Sequence, residues 1–196
     1  MLSLTSRPVP AFPTLLVLVS LLLSTPARSA EMELYGGIGL GYSTFSVDDI
    51  NFEGTSLANR QFIGFNYGDY VGVELTYIDF GTVNDRVSLV PGEPSINDGI
   101  ETQGYDFSVV GRYPLNDELS AFGKLGVIRW DSEVTLETFP LPTKFDGDDL
   151  TWGIGLDFIG SGPVRVRVEG DFVNIDLADS WWVLNASIIY AFKFGR

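Results

Sequence analysis

From Leu34 onward, apolar and polar side chains alternate with a period of two, the spacing of a β-strand whose two faces meet different surroundings. The cleanest case is 150–158, where Leu150, Trp152, Ile154, Leu156 and Phe158 share one face and Thr151, Gly153, Gly155 and Asp157 the other. Residues 164–172 repeat it, with Val164, Val166, Val168 and Phe172 against Arg165, Arg167, Glu169 and Asp171. In 34–44, Leu34, Ile38, Leu40 and Tyr42 oppose Gly37, Gly39, Gly41 and Ser43. In 70–77, Val71, Val73, Leu75 and Tyr77 oppose Glu74, and in 105–113, Tyr105, Phe107, Val109 and Tyr113 oppose Asp106, Ser108 and Arg112. Segments 61–67 (Ile63, Phe65, Tyr67), 119–130 (Leu119, Ala121, Leu125, Val127) and 182–194 (Trp182, Leu184, Ile188, Tyr190, Phe192, Phe194) bring the predicted strands to eight. Phe80 to Leu89 reads as loop, because Gly81, Asn84 and Asp85 interrupt it. No stretch after the first thirty residues carries helical spacing over three turns.

The connections alternate in length. Long links over 46–60, through Pro91, Gly92, Pro94 and Asn97, and over 131–149 take turns with short ones at Gly68-Asp69, Pro114 to Asp117 and Gly160 to Pro163. A medium link runs from Asn174 to Ser180. Short turns on one rim and long loops on the other are the pattern of an up-and-down barrel crossing an outer membrane, and an even strand number puts both termini on the short-turn rim.

Alternation does not say which face is inside. A soluble lipocalin-type barrel would turn its apolar face inward around a ligand. Two features favour apolar-outward. The polar face of the first strand, Gly37, Gly39, Gly41 and Ser43, suits a narrow interior crowded by other side chains. Rings also gather at two levels of the apolar face: Tyr42, Tyr77, Phe107, Trp152, Phe172 and Trp182 toward the loops, and Tyr67, Tyr113, Phe158 and Phe192 toward the turns. Two aromatic girdles mark two membrane–water interfaces. The expected fold is therefore all-β, an eight-stranded antiparallel up-and-down transmembrane β-barrel.

The N-terminus agrees with an exported chain. Arg7 precedes an apolar run from Leu15 to Leu23, and Ser24 to Ala30 are mostly small. That layout is a secretory signal peptide, and the run is far shorter than the roughly 20 residues of a spanning helix. Cleavage after Ser29 divides the chain into a leader, 1–29, and one domain, 30–196. The leader takes away Arg7 and Arg28 from 12 basic residues and none of the 26 acids, leaving a charge of −16. Such a chain does not neutralise phosphates, so nucleic acid is excluded as a partner. With no cysteine, neither disulfides nor thiolate metal sites are available.

These residues resemble a known family, the transmembrane domain of outer-membrane protein A and its small-barrel relatives. The resemblance covers most of 34–196 and rests on Leu40-Gly41-Tyr42-Ser43, Val71-Gly72-Val73-Glu74-Leu75 with Tyr77, and Tyr113-Pro114-Leu115 with Asp117. Further along come Lys124-Leu125-Gly126 with Trp130, Gly153-Ile154-Gly155 with Asp157-Phe158, Arg167-Val168-Glu169, and the terminal Phe192-Lys193-Phe194-Gly195. It implies residence in the outer membrane of a Gram-negative cell, with long loops extracellular and termini periplasmic. It further implies contact with outer-membrane lipid and lipopolysaccharide, and assembly through recognition of the C-terminal aromatic strand by the barrel-assembly machinery. It also implies that Glu74, Lys124, Asp157, Arg167 and Glu169 meet inside the barrel. The family's fourth-strand lysine position holds Val110 here, with Arg112 two residues on, on the same face. The peptidoglycan-binding domain of full-length relatives has no counterpart in the residues up to Arg196, so a tethering role does not transfer.

The interior charges read the same way physically. Isolated ions in a low-dielectric interior cost several kcal/mol each, so Arg112, Lys124, Arg165 and Arg167 should pair with Glu74, Asp106, Asp157, Glu169 and Asp171. The expected interior network is Glu74, Arg112, Lys124, Asp157, Arg167 and Glu169. Such a network knits the lumen; partner exchange within it would instead open a narrow, low-conductance pore. Catalysis is not expected, since a chain without histidine or cysteine assembles neither a serine–histidine nor a cysteine–histidine nucleophile. No cofactor and no dedicated metal site is expected. Asp48-Asp49 and Asp146-Gly147-Asp148-Asp149 read as solvated loop charge, and the latter lacks EF-hand ligand spacing.

Overall fold

The computed structural model describes residues 31–47, 52–87, 96–136, 139–174 and 180–194. The proposed leader, 1–29, lies outside them. Eight strands follow one another: β1 (Met32–Val47), β2 (Phe52–Tyr67), β3 (Val71–Val87), β4 (Ile96–Pro114), β5 (Leu119–Leu136), β6 (Phe139–Ile159), β7 (Val164–Asn174) and β8 (Ser180–Phe194). Each pairs antiparallel with the next and β8 pairs with β1, closing the sheet. Following the register from Met32 through Tyr67, Val71, Gly111, Gly123, Ile154, Gly170 and Leu184 returns to β1 at Tyr42, ten residues further on. With about 3.3 Å per residue and 4.8 Å between strands, that shear tilts the strands by about 40° and sets a backbone radius of about 8 Å. So narrow a lumen is filled by side chains.

The apolar set faces outward. Ile38, Leu40, Leu125, Ile154 and Ile188 are all more than half exposed on the outer face, while Glu74, Asp157 and Arg167 are buried inside. This inverts a lipocalin and excludes the soluble ligand-binding alternative. The outward apolar band extends from Leu34, Tyr67, Tyr113 and Phe158 to Tyr42, Tyr77, Tyr105 and Trp182, a height of about 25 Å, which matches the hydrocarbon layer. The inward glycines follow from crowding: a Cβ on Gly155 would stand 2.6 Å from the Phe122 ring and 2.6 Å from the Val168 carbonyl.

The short turns stand where the sequence puts them, between β2 and β3, β4 and β5, and β6 and β7. Gly68 turns the first with φ of 65°, a conformation that costs an L-residue about 1 kcal/mol or more. The long links need correction. Much of 46–60 and 131–149 is strand, β4 already includes Asn97, and Phe80 to Val87 continue β3 rather than forming a loop. Outside the lipid both faces of a hairpin are wet, so the ladder continues after the apolar alternation has stopped. Gly81 does interrupt β3, but as a bulge: its φ is 78°, its N–H is held by Asp79 Oδ1 at 2.9 Å, and the register to β4 shifts between Asp79 and Thr82. Asp146, Asp148 and Asp149 accordingly lie in β6, and Glu53, Asp85 and Asp98 in β2, β3 and β4; Asp48, Asp49, Glu93 and Glu137 lie outside the described residues.

Candidate functional site

The lumen is stacked in levels. Nearest the short turns, Glu33 of β1 accepts both terminal guanidinium nitrogens of Arg165, the Asn66 amide at 2.8 Å and Arg112 at 3.4 Å. Arg112 reaches across to Asp157 at 2.6 Å, in place of any charge at Val110, which is buried and neutral. A cavity of about 310 Å³ opens at this rim, lined among others by Glu33, Asn66, Arg112, Ser120 and Arg165.

One level up, Arg167 is 1% exposed and holds Asp157 through Nε at 2.7 Å and Glu74 through Nη1 at 2.6 Å. Its guanidinium lies 4.3 Å from the centre of the Phe122 ring, 5.2 Å from Phe62 and 5.6 Å from Tyr35. The rings compensate the faces of the cation while the carboxylates take its edge. The Tyr35 hydroxyl donates to Glu74 at 2.9 Å. Tyr35 and Phe62 pack with Ile189 and Ala191, so aromatic and aliphatic surface closes around the ions.

Higher again, Arg60 pairs with Glu74 at 3.3 Å, with Asp171 at 2.9 Å and with Glu169 in direct contact. Lys124 joins Asp171 at 2.8 Å and Glu169 at 3.7 Å. The six expected residues, Glu74, Arg112, Lys124, Asp157, Arg167 and Glu169, thus lie in one connected network, together with Arg165 and Asp171. Asp106 stands apart: Ser108 and Thr151 donate to it at 2.5 and 2.6 Å, and no base pairs with it among the described residues.

Two members escaped sequence reasoning. Arg60 falls at the end of the expected 46–60 link, and Glu33 lies one residue before the expected first strand, 34–44. Parity carries the missing signal, since Arg60 continues the inward series Asn66, Gly64, Phe62, and Glu33 lies two residues before Tyr35 and four before Gly37 on the same face.

Toward the loop rim the character changes. Ala58, Ile78, Phe80, Ile128, Trp130, Val173, Trp181 and Val183 form one buried apolar cluster inside the barrel. Phe80 and Trp181 are 4.4 Å apart, centre to centre. The indole of Trp181 donates to Ser43 at 2.7 Å and that of Trp130 to Asp149 at 2.7 Å. The cluster is an apolar plug, its two indole N–H groups satisfied at its margin. An ion crossing the barrel would have to leave water at this layer as well as displace paired charges below it. Chemically the site offers paired ions below a buried apolar layer.

A family model described as the OmpA-like transmembrane domain matches residues 29–175. Among solved structures, Neisserial surface protein A superposes with a TM-score of 0.62 at 12% identity, over 81% of this chain and 97% of that one. The attachment invasion locus protein Ail of Yersinia pestis gives 0.55 at 14% identity, over 84% of this chain and all of that one. The N-terminal β-barrel domain of Pseudomonas aeruginosa OprF gives 0.54 at 11% identity, over 84% of this chain and all of that one. At these identities the three structures speak for the fold alone.

Proposed function

The chain belongs to the OmpA-like transmembrane-domain family, and from that premise we propose that this outer-membrane barrel serves as a closed structural element that presents its long hairpins at the cell surface. The observation that carries the reading is the lumen, where paired charges and an apolar plug lie in series. A narrow pore is the weaker reading, because it needs both layers to part. In this scheme residues 1–29 are removed on export, both ends of the domain face the periplasm, and the hairpins beyond Asp79, Gln103, Asp131 and Asp148 stand outside. Lipopolysaccharide surrounds the loop-side girdle. The assembly machinery receives β8, whose outer face carries Trp182, Tyr190, Phe192 and Phe194. The role is not enzymatic, in keeping with a chain that lacks histidine and cysteine.

The three lysines make the orientation testable. Lys144 is 75% exposed on the long-hairpin side, Lys193 is 56% exposed at the turn rim, and Lys124 is buried. A membrane-impermeant amine reagent applied to intact cells should label Lys144 and spare Lys193 until the outer membrane is broken. Labelling of Lys193 alone would reverse the orientation, and steady ion conductance of the purified protein in planar bilayers would refute closure.

A further inference from the structure

Between the two aromatic levels, the outward positions among the described residues are apolar or glycine, with one exception. Gln61 of β2 is exposed and stands in register with Ile38 of β1 on one side and Tyr77 of β3 on the other. Six residues separate it from Tyr67 at the turn rim. At about 3.3 Å per residue and a tilt of about 40°, it lies about 15 Å above that rim, inside the hydrocarbon layer. The nearest outward polar groups are bonded within the barrel: the Asn59 amide donates to Asp79 at 3.0 Å and the Tyr77 hydroxyl to Gln103 at 2.8 Å. The Gln61 amide has no hydrogen-bond partner among the described residues. Water is scarce at this depth, so an unbonded carboxamide is costly there and an apolar side chain would serve the fold better. Its complement has to come from outside the barrel.

A carboxamide is its own complement. It carries an acceptor oxygen and two donor hydrogens, so two of them set face to face close a reciprocal pair of N–H···O bonds. In a two-fold interface, a residue on the axis meets its own copy. Copies inserted in one membrane share an orientation, which sets the axis along the membrane normal and makes an outward side chain of the barrel wall available to it. We propose that the barrel pairs with a second copy of this chain through the outer face of β1, β2 and β3, with Gln61 on the axis and bonded to its counterpart. Around it Ile38, Leu40, Ile63 and Leu75 are exposed and pack equally well against lipid or a like surface, so the amides supply the preference. Gly36, in register with Ile63, lowers the surface beside the contact and lets the two walls approach. Charge does not oppose the pairing. The exposed acids Glu101, Asp131, Asp146 and Asp148 stand on β4, β5 and β6, so the acidic faces of the two copies point apart.

The test is sedimentation equilibrium of the folded protein in neutrally buoyant detergent micelles over a range of protein-to-detergent ratios. The wild-type protein should show a monomer–dimer equilibrium, and Gln61→Leu should weaken it about tenfold. The same variant should match or exceed wild type in urea titrations in vesicles. A loss of stability would mean that the amide is bonded within its own barrel, which would overturn the proposal. Because the chain has no cysteine, Gln61→Cys reports the axis directly. Mild oxidation in vesicles should join it into a disulfide dimer, whereas Ile154→Cys, at similar depth on β6 across the barrel, should stay monomeric. Wild-type protein that remains monomeric at every ratio overturns the pairing. So does a Gln61→Leu dissociation constant equal to that of wild type, or equal cross-linking of the two cysteine variants.

Discussion

Arg167→Met tests the lumen most directly. The substitution keeps a long side chain among the Phe122, Phe62 and Tyr35 rings and removes the charge that lies 2.7 Å from Asp157 and 2.6 Å from Glu74. Stranding a buried partner costs about 3–5 kcal/mol. Here neither acid is left alone, because Glu74 keeps Arg60 at 3.3 Å and Asp157 keeps Arg112 at 2.6 Å. Loss of the cation–π contacts adds up to about 2 kcal/mol, of which a thioether against the same rings restores about 0.3–1.5. The expected loss is therefore about 3–4 kcal/mol, read from urea titrations in lipid vesicles with folded and unfolded species separated by electrophoretic mobility. Because part of that loss is a buried carboxylate deprived of one of its two cations, D157N/R167M should recover at least about 1 kcal/mol relative to the sum of the single changes. A loss below about 1 kcal/mol would refute a tightly coupled network. The plug makes a second demand: the R167M barrel should remain non-conducting in planar bilayers, and a conducting one would show that the ion pairs alone close it.

The plug itself should yield to F80A/W181A, which removes the 4.4 Å ring pair; each truncation costs about 3–5 kcal/mol, and conductance should rise in whatever fraction folds. Gly155→Val should prevent folding, judged by loss of heat-modifiable mobility, because its Cβ meets Phe122 and Val168 at 2.6 Å, whereas Gly170→Ala, with open space around it, should be neutral or stabilising by up to about 1 kcal/mol. Gly81→Ala should cost more than about 1 kcal/mol, since it combines φ of 78° with a Cβ driven into the Leu57 carbonyl. Leu125→Arg, in the middle of the lipid band, should cost about 2–4 kcal/mol in the same urea titrations, while Asp131→Ala above the band should change little.

Wherever one face of a strand meets lipid and the other the lumen, the sequence alone determines the result. Leu150 to Phe158 and Val164 to Phe172 alternate so completely that strand, facing and even the inward charges Asp157, Arg167 and Glu169 can be read without coordinates. That reading fails where the contrast between faces disappears. Phe80 looked like loop because Gly81, Asn84 and Asp85 follow it, yet a bulge carries β3 on and turns Phe80 into the plug. Asp146, Asp148 and Asp149 looked like loop charge because a strand with water on both sides has no apolar period to display. Pairing within the lumen lay further out of reach. Arg60 meets Asp171, 111 residues away, only because a shear of ten residues rotates β2 and β7 to one level. Composition settles which faces are apolar and which charges must find partners; the closure of the sheet decides which partners they find, since register and shear are properties of all eight strands together.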